Sequence, residues 1–135
     1  MDLSCWYYLR NEENEPVVTV ILTINDNNEI ARGVSVCSVD DNPEKRKGIE
    51  WARKYAIDAM KAKSNIERKC LQVESLVLDS VSHPEEFDIY AFKAWYMPKL
   101  SEFETNLINK AIKRVEIFSK KFNYYNYASY DEVVS

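Results

Sequence analysis

The chain has 135 residues, of which 46% are hydrophobic, enough for one folded domain that we expect to span residues 1–135. No apolar run approaches the ~20 residues that a membrane-spanning helix needs. Three widely spaced cysteines, without a CxxC pair, favour reduced thiols and a cytoplasmic protein over a disulfide or metal framework. The net charge of −4 argues against long nucleic acid as a partner.

The first half of the chain predicts a strand meander. Residues 4–10 are dense in aromatic side chains, residues 17–24 are rich in β-branched ones, and residues 29–38 alternate about a period of two. The Asn-rich stretch 25–28 is typical of a tight turn, since Asn and Asp tolerate left-handed backbone conformations. We therefore predict three antiparallel strands joined by short turns.

A long helix is predicted after the third strand. Asp41 or Asn42 can cap its start, and Pro43 suits the first helical position. Its small residues lie on one stripe and let it approach the sheet closely: Ala52, Ala56 and Ala59.

The charges along the chain are uneven. Residues 44–69 hold nine Lys and Arg against four acids, whereas residues 1–42 hold two against eight. The predicted helix begins with the basic run 45–47, and the strand before it carries Arg32. This layout suggests that Arg32, the loop amides and the basic first turn lie together and suit a phosphate-bearing ligand. A solvated helix face is the alternative interpretation of the basic run.

The second half predicts fewer regular elements. Residues 70–80 fit neither period well and are interpreted as a strand, while residues 87–97 alternate as a strand with aromatic side chains on both faces. Ser101 and Glu104 form a capping box that opens a second helix. The segment 123–135 has four tyrosines and no helical period. The predicted fold is α+β: an antiparallel sheet, made of the meander plus one or two later strands, packed against two helices.

The sequence offers little for catalysis. The one histidine, His83, stands in a turn, and there is no HExxH or DxD motif. Two glycines, Gly33 and Gly48, are too few for a P-loop or a Rossmann turn. The acidic pair 40–41 fits helix capping better than metal binding. We therefore expect no enzyme activity, no metal and no cofactor.

Binding of a nucleotide-like ligand fits the composition better. Such a ligand needs cations for its phosphates and aromatic rings for its base. The candidate ligand-binding residues are Arg32, Lys47 and Arg114 as cations and Phe92, Trp95 and Tyr96 as rings. Packing in a core or an interface is the alternative for the rings, and an exposed position on a strand is the alternative for Arg32.

The segment ARGVSVCS at residues 31–38, followed by the Lys/Arg-rich helix of 41–60, resembles the first family of Thoeris anti-defence proteins from phages. The resemblance implies a non-catalytic protein that sequesters cyclic ADP-ribose isomers made by TIR-domain enzymes in the host cytoplasm. It also implies homodimers or larger homo-oligomers with ligand at subunit interfaces, and cyclic oligonucleotides as ligands of some members. Arg32 is the residue that the shared segment carries over.

Phe92 and Arg114 are matched to the family's aromatic and second arginine by position and chemistry alone. The chain also departs from the family pattern, since Glu50 and Trp51 stand where a second basic cluster is expected. One alternative function is a protein–protein inhibitor of a host defence enzyme, acting through the acidic surface and the aromatic tail. A hydrolase or nuclease is a third.

Overall fold

A computed structural model describes residues 3–38, 42–69, 76–81 and 87–122, with side chains of the last helix described as far as residue 116. It shows an α+β fold, in which two helices flank one antiparallel sheet of five strands. In chain order the elements are β1 (Leu3–Arg10), β2 (Pro16–Ile24), β3 (Ile30–Val36), α1 (Lys45–Ala62), β4 (Ile66–Glu67), β5 (Phe92–Tyr96) and α2 (Glu102–Phe122). The strand order in the sheet is β1-β2-β3-β5-β4.

The predicted meander of β1, β2 and β3 is confirmed. The side chain of Asn25 organises the second turn, because its Oδ1 accepts hydrogen bonds from the amides of Asn27 and Glu29 at 3.0 and 2.9 Å. Asn28 closes the turn with φ at 61°, a left-handed conformation that asparagine tolerates. The turn fixes the register, in which Ile21 pairs with Gly33 and Leu22 with Arg32.

Helix α1 packs on one face of the sheet through its alanine stripe, as predicted. Ala52, Ala56 and Ala59 are fully buried against Ile21 and Ala31. Gly33 makes this approach possible, since a Cβ at that position would lie 2.0 Å from the Ala52 carbonyl oxygen.

Helix α2 and the segments before β5 cover the opposite face. Ile108 and Ala111 of α2 pack on Cys5 and Leu22 near the β1 side of the sheet. On the same face, Ile89 packs on valines of β2 and β3, and the partly buried rings of Phe87 and Trp95 pack beside it. The predicted capping box is present: the Ser101 amide donates to Glu104 and the Glu104 amide donates to the Ser101 hydroxyl, at 3.1 and 3.0 Å.

Several boundaries differ from the sequence prediction. Strand β5 begins at Phe92 instead of residue 87, because Asp88 folds residues 88–91 into a turn by accepting the Tyr90 amide at 2.8 Å. The two-residue strand β4 was not predicted and pairs with β5. Helix α1 begins after Glu44, which is extended at φ −123° and ψ 118° and makes no side-chain cap.

Other expectations fall partly beyond the described residues. For the strand predicted over 70–80, residues 70–75 lie outside them, and Leu78 makes one isolated bridge to Asn11. His83, the acidic pair 40–41 and the segment 123–135 also lie outside them. On α2, the hydrophobic side chain of Ile112 is 39% exposed. Within the described ranges, neither helix has an apolar stretch long enough to cross a bilayer.

Candidate ligand-binding site

Arg32 is buried rather than open to a ligand. Its Nε donates to Glu104 Oε2 at 2.8 Å, and its Nη2 donates to Glu104 Oε1 and to the Lys99 carbonyl, the latter at 2.9 Å. The Phe87 ring lies 4.0 Å from the guanidinium carbon, and the Tyr7 hydroxyl donates to the same carboxylate at 3.0 Å. Arg32 therefore joins the centre of the sheet to the first turn of α2.

The expected grouping of Arg32 with the basic start of α1 is wrong, and strand alternation explains why. Side chains of successive strand residues point to opposite faces. Gly33 faces α1, so Arg32 faces α2 and its partner Glu104. Lys47 lies on the other side of the sheet, in the first turns of α1.

The three aromatic candidates on β5 serve the fold in two different places. Trp95 packs edge-to-face with Phe87 and Phe92, with ring centroids 5.1 and 5.7 Å apart, and its ring lies 5.6 Å from the Arg32 guanidinium carbon. Tyr96 is the last residue of β5, and its hydroxyl donates to Glu29, which directly precedes β3. This hydrogen bond is the main cause that lowers the pKa of Glu29 to about 2.

Arg114 lies at a cavity of about 380 Å³ where α2 passes the edge strand β1. We call it the cationic cavity and define it by Trp6 and Tyr8 of β1 and Lys110 and Arg114 of α2. Cys5, Leu107 and Ala111 complete its lining. Its volume falls within the range of small-molecule sites, which begins at about 300 Å³.

The spacing in the sequence places the two aromatic residues on one face of β1 and the two cations on one face of α2. Trp6 and Tyr8 are two residues apart on a strand, so their side chains project to the same face, which is the α1 face: Trp6 packs beside the alanine stripe and the Tyr8 ring lies near Lys45. They meet the cations of α2 only at the edge of the sheet. Lys110 and Arg114 are four residues apart on a helix, or ~6 Å along its axis, and both are exposed. Among the described residues neither cation forms an ion pair, and no acidic side chain lines the cavity.

More positive charge surrounds the two rings. The Arg53 guanidinium carbon lies 5.8 Å from the Trp6 ring centroid, and the Lys45 ammonium lies 5.2 Å from that of Tyr8. Both come from α1, on the other side of β1 from α2. Four cationic side chains therefore lie near this edge of the sheet, although the whole chain is acidic.

The thiol in the cationic cavity is unsuited to nucleophilic chemistry. Burial, with a smaller contribution from the Glu104 carboxylate, raises the pKa of Cys5 to about 12. The thiol therefore stays protonated at neutral pH, whereas the thiolate is the nucleophile. Within the described ranges no group of three His, Cys, Asp or Glu side chains is placed to hold a metal ion.

Lys47 lies at a second cavity, of about 370 Å³, between the start of α1 and the ends of β2 and β3. We call it the hydroxyl-lined cavity and define it by Thr19, Ser35, Ser38, Glu44, Lys47 and Trp51. It shares no lining residue with the cationic cavity. The six predicted site residues therefore do not form one site. Four lie on the neighbouring strands β3 and β5, Arg114 lies at the cationic cavity, and Lys47 lies at the hydroxyl-lined cavity.

Sequence reasoning missed three of the four residues that define the cationic cavity. Trp6 and Tyr8 lie in the segment 4–10, which was interpreted only as a strand, and Lys110 was not among the candidate ligand-binding residues. The available signal was the pairing of aromatic residues two apart on a first strand with cations four apart on a helix. The packing of α2 beside β1, which brings the two pairs together, cannot be predicted from these local spacings.

Comparison with known proteins adds no assignment: no model of a protein family, no curated protein and no solved structure matches this chain.

Proposed function

We propose that this protein binds a small anionic nucleotide in the cationic cavity and holds it without chemical change. The observation that carries the proposal is that two cations of α2 and two aromatic residues of the edge strand β1 line one cavity of about 380 Å³, and neither cation forms an ion pair among the described residues. Phosphate needs the first pair and a base needs the second. The resemblance at residues 31–38 favours a cyclic ADP-ribose isomer as the nucleotide.

The phosphate-binding part of the cavity comes from α2. Arg114 presents a planar fork that bonds two phosphate oxygens at once, and Lys110 adds a point charge one turn earlier. Two like charges four residues apart repel each other, which destabilises a helix slightly. A bound phosphate neutralises this repulsion. Relief of the repulsion therefore contributes to the free energy of phosphate binding.

The base-binding part comes from β1. Stacking of a base on an aromatic ring contributes about 1–3 kcal/mol per base and tolerates different bases. Strand pairing with β2 fixes the backbone of Trp6 and Tyr8. Arg53 and Lys45 lie beside their rings, so little side-chain freedom is lost when a base stacks on them. The cavity therefore favours a ligand with a planar ring and one or two phosphates.

Sequestration is the role that this chemistry supports. A protein that only binds a signalling nucleotide in the cytoplasm of an infected cell lowers its free concentration in proportion to the copies present. The protonated Cys5 thiol supports binding without turnover. Assembly into homodimers or larger homo-oligomers, which the resemblance implies, belongs to this proposal and is measurable by light scattering.

Removing the two cations is expected to weaken binding at least a hundredfold. Each charge-assisted hydrogen bond contributes about 1.5–3 kcal/mol, and Lys110→Gln with Arg114→Gln removes two or more of them. Isothermal titration calorimetry with a cyclic ADP-ribose isomer measures the change. Lys113→Gln is the matched control, since Lys113 has the same charge on the same helix but does not line the cationic cavity.

The control variant is expected to bind within threefold of the unmodified protein. Equal weakening by both substitutions would mean that only general positive charge acts, and would contradict the assigned cavity. Retention of full affinity by the double variant would contradict it as well. Because both side chains are exposed, the variants are expected to fold normally.

A further inference from the structure

The hydroxyl-lined cavity has a chemistry that the proposed nucleotide site does not use. Thr19 of β2 is only 3% exposed, and its side chain lines this cavity. Ser35 is its register partner on β3, so two hydroxyl side chains lie together on the floor of this cavity.

Helix α1 approaches this floor closely at one point. Gly48 lies over Thr19, and a Cβ at position 48 would come within 2.3 Å of Thr19 Oγ1. The missing side chain keeps the threonine hydroxyl at the cavity wall instead of covering it. At the rim, Trp51 is 49% exposed, and the Lys54 ammonium lies 5.3 Å from the centroid of its ring.

The two charged side chains that line this cavity, among the residues that the structure describes, have opposite signs. The Lys47 ammonium lies 3.6 Å from the Glu44 carboxylate, and both line the cavity. Glu44 stands at the N-cap position of α1 but makes no capping hydrogen bond, although Ser, Thr, Asp or Asn would cap better there. A carboxylate paired with an ammonium presents little net charge to a multiply charged phosphate, while the two groups accept from and donate to neutral hydroxyls.

We propose that the hydroxyl-lined cavity binds the ring of a neutral sugar, either free or as part of a nucleoside. Sugar hydroxyls both donate and accept, which matches the hydroxyls of Thr19 and Ser35 and the Glu44–Lys47 pair. The apolar face of the ring packs on Trp51, as apolar groups do on indole. This site does not depend on the proposed nucleotide site.

The test is a titration followed by two-dimensional NMR of the amides, with D-ribose, adenosine and inorganic phosphate as separate probes. Shifts of the Thr19, Ser35 and Gly48 amides with ribose and adenosine alike indicate a site for free sugar. Shifts with adenosine that exceed those with ribose and require Trp51 indicate a site for nucleosides. Either result supports the proposal. Absence of shifts with both, or tighter binding of phosphate, overturns it.

Thr19→Val separates a binding role from a structural one. This change keeps the shape of the side chain and removes the hydroxyl, so sugar affinity is expected to fall at least tenfold while thermal stability is unchanged or higher. Thr23→Val is the matched control, since Thr23 is buried on the same face of β2 but is bonded to Ser4 at 3.2 Å. It is expected to lower stability and leave sugar affinity unchanged. Unchanged sugar affinity in Thr19→Val would overturn the proposal.

The charged pair gives an independent test. Glu44→Gln is expected to weaken ribose or adenosine binding, because the carboxylate accepts from ring hydroxyls. If this cavity were instead an anion site, the same change would strengthen phosphate binding, and that result would overturn the proposal. The Lys110→Gln, Arg114→Gln variant is expected to keep full sugar affinity, so failure of the nucleotide site and failure of this site are distinguishable.

Discussion

Replacing Arg32 or Glu104 alone by methionine is expected to lower the free energy of unfolding by about 3–5 kcal/mol, because either change leaves a buried charge without its partner. The two side chains are 1% and 0% exposed, so water does not replace the lost partner. Glu104→Met is the more damaging, since it also removes the acceptor of the Ser101 amide and of the Tyr7 hydroxyl.

The double variant, with both residues changed to methionine, is expected to lose much less than the two single losses together. It buries neither charge, and apolar replacements of buried ion pairs are often neutral. Urea unfolding followed by circular dichroism measures all three. Glu102→Gln, an exposed acid in the same turn of α2, is the control and is expected to change stability by less than about 0.5 kcal/mol. Additive losses would show that the two residues do not form one coupled pair.

Gly33→Ala is expected to destabilise the protein by about 3 kcal/mol or more, the upper end of overpacking costs. Glycine in a strand is normally unfavourable, and replacing it by alanine gains about 0.4–1 kcal/mol where space allows. Here the added methyl group meets the Ala52 carbonyl oxygen at 2.0 Å and the Ala56 amide nitrogen at 2.9 Å. These are backbone atoms of α1, so the whole helix has to move.

Gly48→Ala is the matched comparison for the same helix–sheet interface. Its nearest contact is with the Thr19 side chain instead of backbone, and alanine favours the helix by about 1 kcal/mol over glycine. We expect a clearly smaller loss than for Gly33→Ala in the same urea unfolding experiment. A loss equal to that of Gly33→Ala would contradict the assignment of Gly33 as the contact that sets the distance between α1 and the sheet.

Local sequence patterns predicted most of the fold because turns, strands and helix caps depend on residues that are close in sequence. The Asn-rich turn, the β-branched second strand, the alanine stripe and the capping box of Ser101 each depend on neighbours in sequence. The start of β5 was misjudged because Asp88 captures the Tyr90 amide, a side-chain hydrogen bond that overrides strand alternation. The start of α1 was misjudged because Glu44 remains extended.

The sites were harder to predict because they depend on contacts between distant segments. The role of Arg32 is set by Glu104, which is 72 residues away. A strand arginine looks exposed until its partner on another element is known. The cationic cavity likewise exists only because α2 passes β1, while the charges on both elements are visible in the sequence.

The central claim is that the cationic cavity holds a nucleotide and releases it intact. Its most direct test is to incubate the purified protein with a cyclic ADP-ribose isomer, remove unbound ligand, denature the protein by heat and analyse the released material by mass spectrometry. We expect recovery of the unchanged ligand in a fixed ratio to protein, and its loss in the Lys110→Gln, Arg114→Gln variant. Release of a hydrolysed product, or of no nucleotide from the unmodified protein, would contradict it.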